Sequence, residues 1–459
     1  MGLVKIINGC DFDTIFQSFS SEAVDEATDA AVSEIIAAVR REGDSAVRRY
    51  AERFEKSVPA KFEVPLEAAK TAWENLKSAE SDLAKALALA ADHIRRFAEL
   101  QKEAFKDFEA ELSPGLFTGQ RVIPVERATV YVPAGRFPLI SSALMGLIPA
   151  AVAGVGQKLL VSPPGDDSLP DRRILAAAHL AGADRIFALG GAQAIAALAL
   201  GTETIPKADL IVGPGNKYVT AAKRLLFGEV GIDFAAGPTD VLVITDSSGL
   251  DGSGMVAQPA DLVAQDADLI AADMLAQAEH DPDARARALV PDREMAEQVE
   301  RALEKRLAAL ATAETARASL EAGGLVIVYA SKEEALAIAN RIAPEHLELH
   351  VSSPEKWTGG LVNYGSLFIG SAAAEVLGDY SAGINHTLPT SASARFTGGL
   401  SVRNFLKTVT TLRCAPGKAY DQALSAAETI ARAEGLAGHA ESAAIRKNAG
   451  ASPAGTRGL

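Results

Sequence analysis

The sequence predicts an α/β protein of two Rossmann-like, doubly wound parallel-sheet domains with helical N- and C-terminal arms. Three observations carry that expectation. Short apolar runs alternate with helical runs of about 10–15 residues, the pattern of βαβ units whose parallel sheet is covered on both faces. Glycine-rich turns follow three of the strand candidates. The chain has 459 residues, more than a single core of about 250–300 residues accommodates.

The elements follow in order. Residues 21–108 read as helical; segment 82–106 is rich in Ala, Leu, Glu and Lys, with apolar residues three and four apart. This predicts a helical layer, with His93 on its boundary. A first alternation places strands at 129–132, 158–161, 185–189, 208–212 and 241–245. Helices at 141–155, 171–181, 192–200 and 217–227 lie between them. A second, weaker alternation places a helix at 266–280, a poor strand at 288–290 and a long helix at 293–311. A strand at 325–329, a helix at 332–342 and strands at 347–351 and 366–369 follow. Residues 420–446 read as one helix and the tail from Asn448 as disordered. The segment 247–258, with three glycines and Pro259 directly after it, reads as a loop. The expected partition is an arm at 1–28, a helical layer at 29–130 joined to a second Rossmann-like domain at 239–400, an inserted Rossmann-like domain at 131–238, and a C-terminal arm at 401–459.

Composition excludes several classes. Apolar residues make up 48% and charged residues 23%, ordinary for a folded enzyme. A net charge of −14 argues against a nucleic-acid partner, which needs a basic footprint. Two cysteines, Cys10 and Cys414, can build neither a disulfide framework nor a cysteine-rich zinc site, and read as thiols of a reducing compartment. Residues 1–16 carry acids and no long apolar run, so no signal peptide is visible. The longest apolar stretch, 144–155, is too short to span a bilayer and contains Pro149. The expectation is a cytoplasmic protein with no membrane partner.

The chemistry-bearing residues cluster in short motifs. The turns Val132-Pro133-Ala134-Gly135, Leu189-Gly190-Gly191-Ala192-Gln193 and Val212-Gly213-Pro214-Gly215-Asn216 follow strands, where open parallel sheets bind ligands. A helix start after such a turn can hold a phosphate. None matches G-x-G-x-x-G, so cofactor binding and plain turn chemistry both stay open at this point. In Gln277-Ala278-Glu279-His280, Gln277 and His280 are three apart and share a helix face, an N and O pair that suits a divalent metal although glutamine is an uncommon ligand. Pro344-Glu345-His346 sets a carboxylate beside an imidazole, a possible acid–base pair. Asp379 and His386 stand in a polar stretch. Glu434 and His439, five apart, can act together only if a helix ends at Gly435 or Gly438 between them. Gln277, His280, Asp379 and His439 form a mixed N/O set suited to zinc, with manganese or cobalt possible. His179 and His350, without such context, read as structural.

These motifs, in this order, resemble the histidinol dehydrogenase family. The resemblance runs through Tyr131 to Gly135, Gly190 to Gln193, Gly213 to Asn216, Ala236 to Asp240, Gln277 to His280, Pro344 to His346, Gly378-Asp379, Asn385 to Pro389 and Glu434 to His439. It covers about residues 25–446. It implies a domain-swapped homodimer exchanging its C-terminal arm, one Zn2+ per subunit, and NAD as oxidant of a small amino alcohol. Gln277, His280, Asp379 and His439 of the partner subunit would hold the zinc. Glu345 and His346 would be catalytic, His346 as the base during hydride loss and Glu345 as the activator of water. Tyr131, Gln193 and Asn216 would contact NAD. Thr239, His386 and Glu434 would line the substrate site with His346 and the zinc ligands.

The sequence departs from the family pattern in places. The usual A-G-P-S-E reads Ala236-Gly237-Pro238-Thr239-Asp240, the usual Y-V-P-G-G has Ala134, and the 247–265 loop is long. Arg136 reads first as a surface arginine; the alternative is a paralogue in which it favours an anionic alcohol such as a sulfonated diol. A zinc hydrolase using Glu345, or a binding protein that keeps the fold without turnover, are the readings from other classes. The complete metal set and Glu434 favour histidinol.

Overall fold

The structure is a computed structural model that describes residues 2–19, 25–134, 138–246 and 259–450. The expected 247–258 loop, Arg136 and the end of the expected disordered tail lie outside the described residues. The chain forms two compact units, residues 1–101 with 125–405, and residues 102–124 with 406–459.

The N-terminal segment supplies β1 (Lys5–Asn8) and α1 (Phe12–Phe19). Then come α2 (Glu26–Glu42), α3 (Asp44–Phe54), β2 (Glu63–Val64), α4 (Leu66–Ala79) and α5 (Ser81–Lys102). Strands β3 (Phe108–Ser113) and β4 (Leu116–Pro124) lead to the first alternation. It comprises β5 (Arg127–Tyr131), α6 (Ile140–Ala153), β6 (Gln157–Ser162), α7 (Arg172–Ala181), β7 (Arg185–Ala188), α8 (Gly191–Leu200), β8 (Leu210–Val212), α9 (Lys217–Leu226) and β9 (Gly231–Ile232). The second comprises β10 (Asp240–Thr245), α10 (Pro259–Ala278), β11 (Arg285–Val290), α11 (Arg293–Leu307), α12 (Ala313–Gly323), β12 (Leu325–Val328), α13 (Lys332–Ile342), β13 (His346–His350), α14 (Glu355–Thr358), β14 (Ser366–Ile369) and α15 (Glu375–Tyr380). The chain ends with β15 (Leu406–Cys414), α16 (Lys418–Ala433) and α17 (Ala437–Gly450).

The first sheet has the order β2-β7-β6-β5-β8-β9, parallel except where β2 meets β7. The chain winds outward from β5 to β7 and returns to β8, so the winding reverses between β5 and β8. Strands buried on both faces read as continuous apolar runs; β8 is buried throughout and β5 at every residue after its first. Local signals frame the helices: the Asp171 carboxylate caps α7, and Gly182 ends it in the left-handed region. The expected partition joined the 29–130 layer to the second sheet. In the structure α2 and α3 share the first sheet's core, where Val32, Ile35, Val47 and Tyr50 meet Leu159, Phe187 and Ile195.

The second sheet has the order β1-β12-β11-β10-β13-β14 and is parallel throughout. Its winding reverses between β10 and β13. On one face Val241, Val243 and Ala288 pack with Ile270 and Met274 of α10 and Leu303 of α11. On the other, Leu242, Ile244, Leu347 and Leu349 pack with Ile338 and Ile342 of α13 and with Trp357. The long helix expected at 293–311 is divided here into α11 and α12.

The second unit holds the antiparallel sheet β15-β4-β3 and the α16–α17 hairpin. The helix expected at 420–446 is broken. Gly435 has φ +77°, and the Leu436 N–H reaches back to the Ala431 carbonyl at 2.8 Å. Cys10 and Cys414 are exposed and unbridged. Among the described residues no helix is long and apolar enough to cross a membrane.

Candidate active site

At the carboxyl ends of the first sheet lies a cavity of about 850 Å³. Tyr131, Pro163, Gly190, Gln193 and Asn216 line it, joined by Glu55 from the end of α3. Glu55 Oε1 accepts from Gly190 N (2.8 Å) and Gln193 Nε2 (3.1 Å), so this carboxylate holds the turn that opens α8. Burial pushes its pKa up to about 7, against those two hydrogen bonds. The Tyr131 hydroxyl accepts from Gly191 N at 3.1 Å. Asn216 caps α9, its Oδ1 accepting from Tyr218 N and Val219 N, both at 3.1 Å. Gly213 has φ +109°, and a Cβ there would collide with the Tyr131 carbonyl. A buried Lys223–Asp233 ion pair clamps that glycine: Lys223 Nζ donates to Gly213 O at 3.0 Å, and Asp233 Oδ2 accepts from Gly213 N at 2.8 Å.

A second, smaller cavity of about 180 Å³ lies at the amino ends of the second sheet and touches the first sheet's Gly213 turn. β10 opens with Asp240 and β13 with His346, and the register places Val241 beside His346. Sheet pairing therefore brings Thr239-Asp240 against Glu345-His346. Glu345 N donates to Asp240 Oδ1 (3.0 Å), and Asp240 N returns a bond to Glu345 Oε2 (3.1 Å). The Thr239 hydroxyl also bonds Glu345 Oε2. Behind them the buried Arg287 pairs with Asp240 Oδ2 at 3.2 Å. Burial pushes Glu345 up to about 7.

His346 is 3% exposed, which leaves only its edge toward the cleft. Its Nδ1 lies 3.4 Å from the Asp240 carbonyl, 3.6 Å from Glu375 Oε1 and 3.9 Å from Glu345 Oε2; its Nε2 lies 3.6 Å from Asp379 Oδ1. Burial lowers its pKa, but the carboxylates of Glu375, Glu345 and Asp379 outweigh burial and raise it well above the usual histidine range. For Asp379, burial is outweighed by His346, and its pKa is lowered. His386 bridges the two sheets. Its Nδ1 lies 3.0 Å from the Asp379 carbonyl and its Nε2 3.1 Å from Ser142 Oγ on α6. Burial holds His386 toward its neutral form.

Gln277 stands between Thr239 and Glu375. One amide atom lies 2.5 Å from Thr239 Oγ1 and the other 2.5 Å from a Glu375 carboxylate oxygen. His280, just past the end of α10, lines the same cleft. The fold thus gathers Thr239, Gln277, His280, Glu345, His346, Asp379 and His386 around one cleft. It gathers Tyr131, Gln193 and Asn216 around the neighbouring one. Glu434 and His439 are exposed residues of the second unit, on either side of Gly435. The amide, imidazole and ionised carboxylate of Gln277, His280 and Asp379 fit a divalent cation by donor type. The buried His346 Nε2, without a hydrogen-bond partner among the described residues, faces the same Asp379 carboxylate.

Sequence reasoning missed Glu375, Asp240's paired role with Arg287, and Glu55. Glu375 carried a signal, since it lies four residues before Asp379 on one helix face. Glu55 carried none, because only the tertiary fold brings α3 to the Gly190 turn.

Glu345 and His346 thus stand together in a cleft at the amino edge of the second sheet that also touches the first sheet's Gly213 turn. The family model described as histidinol dehydrogenase matches residues 19–447. A histidinol dehydrogenase from Methylococcus capsulatus is 44% identical over 429 residues, 93% of each chain. One from Thermus thermophilus is 46% identical over 423 residues, covering 92% of this chain and 95% of that one. A "histidinol dehydrogenase homolog" from Ruegeria pomeroyi is 44% identical over 417 residues, 90% of this chain and 92% of that one. The crystal structure of histidinol dehydrogenase from Elizabethkingia anophelis superposes with a TM-score of 0.87 at 32% identity, covering 98% of this chain and 100% of that one. The chain belongs to the histidinol dehydrogenase family.

Proposed function

We propose that this protein oxidises L-histidinol to L-histidine through L-histidinaldehyde, passing two hydrides to two NAD molecules. The observation that carries the reading is the Glu345–His346 pair on the floor of a cleft that adjoins the Tyr131–Gln193–Asn216 cavity. In the first step His346 takes the hydroxyl proton as the carbinol C–H leaves as hydride. In the second, Glu345 takes a proton from the water that adds to the aldehyde, and the hydrate then gives up its own hydride. Burial sets Glu345 at about 7, where it can exchange a proton near neutral pH, while the carboxylates around His346 favour its protonated form until a cation among them offsets their field. Glu345 is oriented by Thr239 and Asp240, and Arg287 fixes Asp240, so the base for water is held by the sheet's own register.

Gln277, His280, Asp379 and His439 of the partner subunit would hold one Zn2+ per subunit in a dimer that swaps its C-terminal arm. Bound there, the cation would tether the substrate's imidazole and amine and offset the negative field around His346. Thr239, His386 and Glu434 would line the substrate. The test is to record NADH formation with histidinol and with other alcohols, a sulfonated diol included, before and after chelation. The expected result is about two NADH per histidinol, lost on chelation and restored by Zn2+. NADH formed only from another alcohol would overturn the substrate. Hydrolysis of esters without NAD would overturn the reaction class.

A further inference from the structure

Strand β13 carries two more ionisable side chains beyond the cleft. Alternation along a strand puts His346, Glu348 and His350 on one face and Leu347 and Leu349 on the other. The leucines pack toward α13, and the polar residues face α10, where Asp273 stands one turn before Gln277. Glu348 and His350 are 0% and 1% exposed, at positions where a sheet covered on both faces normally carries aliphatic side chains.

The ligand atoms of Asp273, Glu348 and His350 all lie within 4.8 Å of one another, with Glu348 Oε2 3.4 Å from His350 Nε2. Glu348 Oε1 is held by the Glu375 N–H at 2.6 Å, which fixes the carboxylate and leaves its second oxygen facing the cluster. That oxygen and both ring nitrogens of His350 have no hydrogen-bond partner among the described residues. Buried polar atoms are otherwise satisfied in folded proteins, so three orphans in one cluster call for a ligand. Asp266 interacts with His350, so a third carboxyl adjoins the cluster. Burial and Glu348 together push Asp273 up to about 8, as expected of an acid cluster lacking its counter-charge.

The location gives independent support. His350 and Thr245 are the paired last residues of β13 and β10, the strands between which the winding reverses. Open parallel sheets take ligands at the carboxyl edge of such a reversal. The Glu345–His346 cleft occupies the opposite edge.

We propose that Asp273, Glu348 and His350 form a second divalent-cation site. It would take a first-row ion, Mn2+ or Zn2+, through two carboxylate oxygens and one imidazole nitrogen. The ion ties α10 to β13, the two elements that carry Gln277 and His346. The proposal does not depend on the zinc reading of the first cleft.

The test uses the full-length protein, stripped with chelator and titrated with Mn2+ and Zn2+ separately. Bound metal is counted by mass spectrometry, and melting is followed by circular dichroism. Of at least one ion, the wild-type chain should bind one equivalent more than His350→Gln does. In an Asp379→Asn background, which disables the first cleft, that ion should still raise the melting temperature. It should fail to do so in the Asp379→Asn/His350→Gln double variant. An unchanged count in His350→Gln would overturn the site. So would a melting temperature of the Asp379→Asn protein that ignores both ions. Loss of histidinol turnover with two equivalents still bound would count against the proposed reaction and leave this site standing.

Discussion

The two parallel sheets of the first unit share a winding plan and use opposite edges of it. The first sheet offers its carboxyl edge, where glycine turns and helix starts present backbone N–H groups around a wide cavity. The second offers its amino edge, where Asp240, Glu345 and His346 begin their strands and interlock around a small one. A carboxyl edge supplies dipoles and room, which suit a long charged cofactor. An amino edge supplies side chains held by strand register, which suit proton transfer at fixed distances. The division predicts that damage to the first sheet's edge weakens cofactor binding, and damage to the second's stops chemistry.

The largest effect is expected from His346→Ala. Loss of the base should lower kcat by about 10²–10⁴-fold, while NADH binding, read by fluorescence, stays within a few-fold. A variant that lost both equally would erase the division between the edges. Next, Lys223→Met strands the buried Asp233 carboxylate beside Gly213. Removing one partner of a buried pair costs about 3–5 kcal/mol, which urea unfolding should register, together with weaker NADH binding. The pH dependence samples both edges. Glu55 and Glu345 have folded pKa values of about 7, above the ordinary 4.5, each raised first by burial. Each contributes stability that is full below about pH 4.5 and is lost as pH rises through 7. The chelated protein should therefore melt lower at pH 8 than at pH 5. Glu55→Gln and Glu345→Gln should each flatten part of that slope; a slope untouched by both would refute the assignment. A smaller effect should follow Asn216→Ala, which removes the α9 cap at about 1 kcal/mol and should raise the KM for NAD without lowering kcat. The smallest belongs to Arg40→Ala. It breaks an exposed pair with Glu229 whose loss should stay below about 1 kcal/mol by the same unfolding assay.

Legibility in the sequence followed burial. Strands β5 to β8, β10, β12 and β13 were readable because burial on both faces makes them apolar runs. The strand β11 was nearly lost: its Arg285 and Arg287 look like solvent residues, yet Arg287 is buried to hold Asp240. β3, with its partners β4 and β15, was passed over: it alternates as Phe108-Glu109-Ala110-Glu111-Leu112-Ser113, but every residue is exposed and the run is short. β1 was missed because four residues with exposed ends carry too little periodicity. The motifs Q-A-E-H and P-E-H marked chemistry through residue type. Glu375 beside them, and Glu55 at the Gly190 turn of the other cavity, were passed over, because an acid near a helix end is ordinary until the fold shows what it faces.

β1 pairs with β12, Lys5 beside Leu325, whereas the first sheet's main strands all fall between residues 127 and 232. During synthesis the nascent chain therefore carries an orphan edge strand for some three hundred residues before its neighbour leaves the ribosome. Pairings so distant in sequence form late and slowly. The second sheet is thus completed after the first at birth, and a chain cut short before residue 325 would keep β1 without its parallel neighbour.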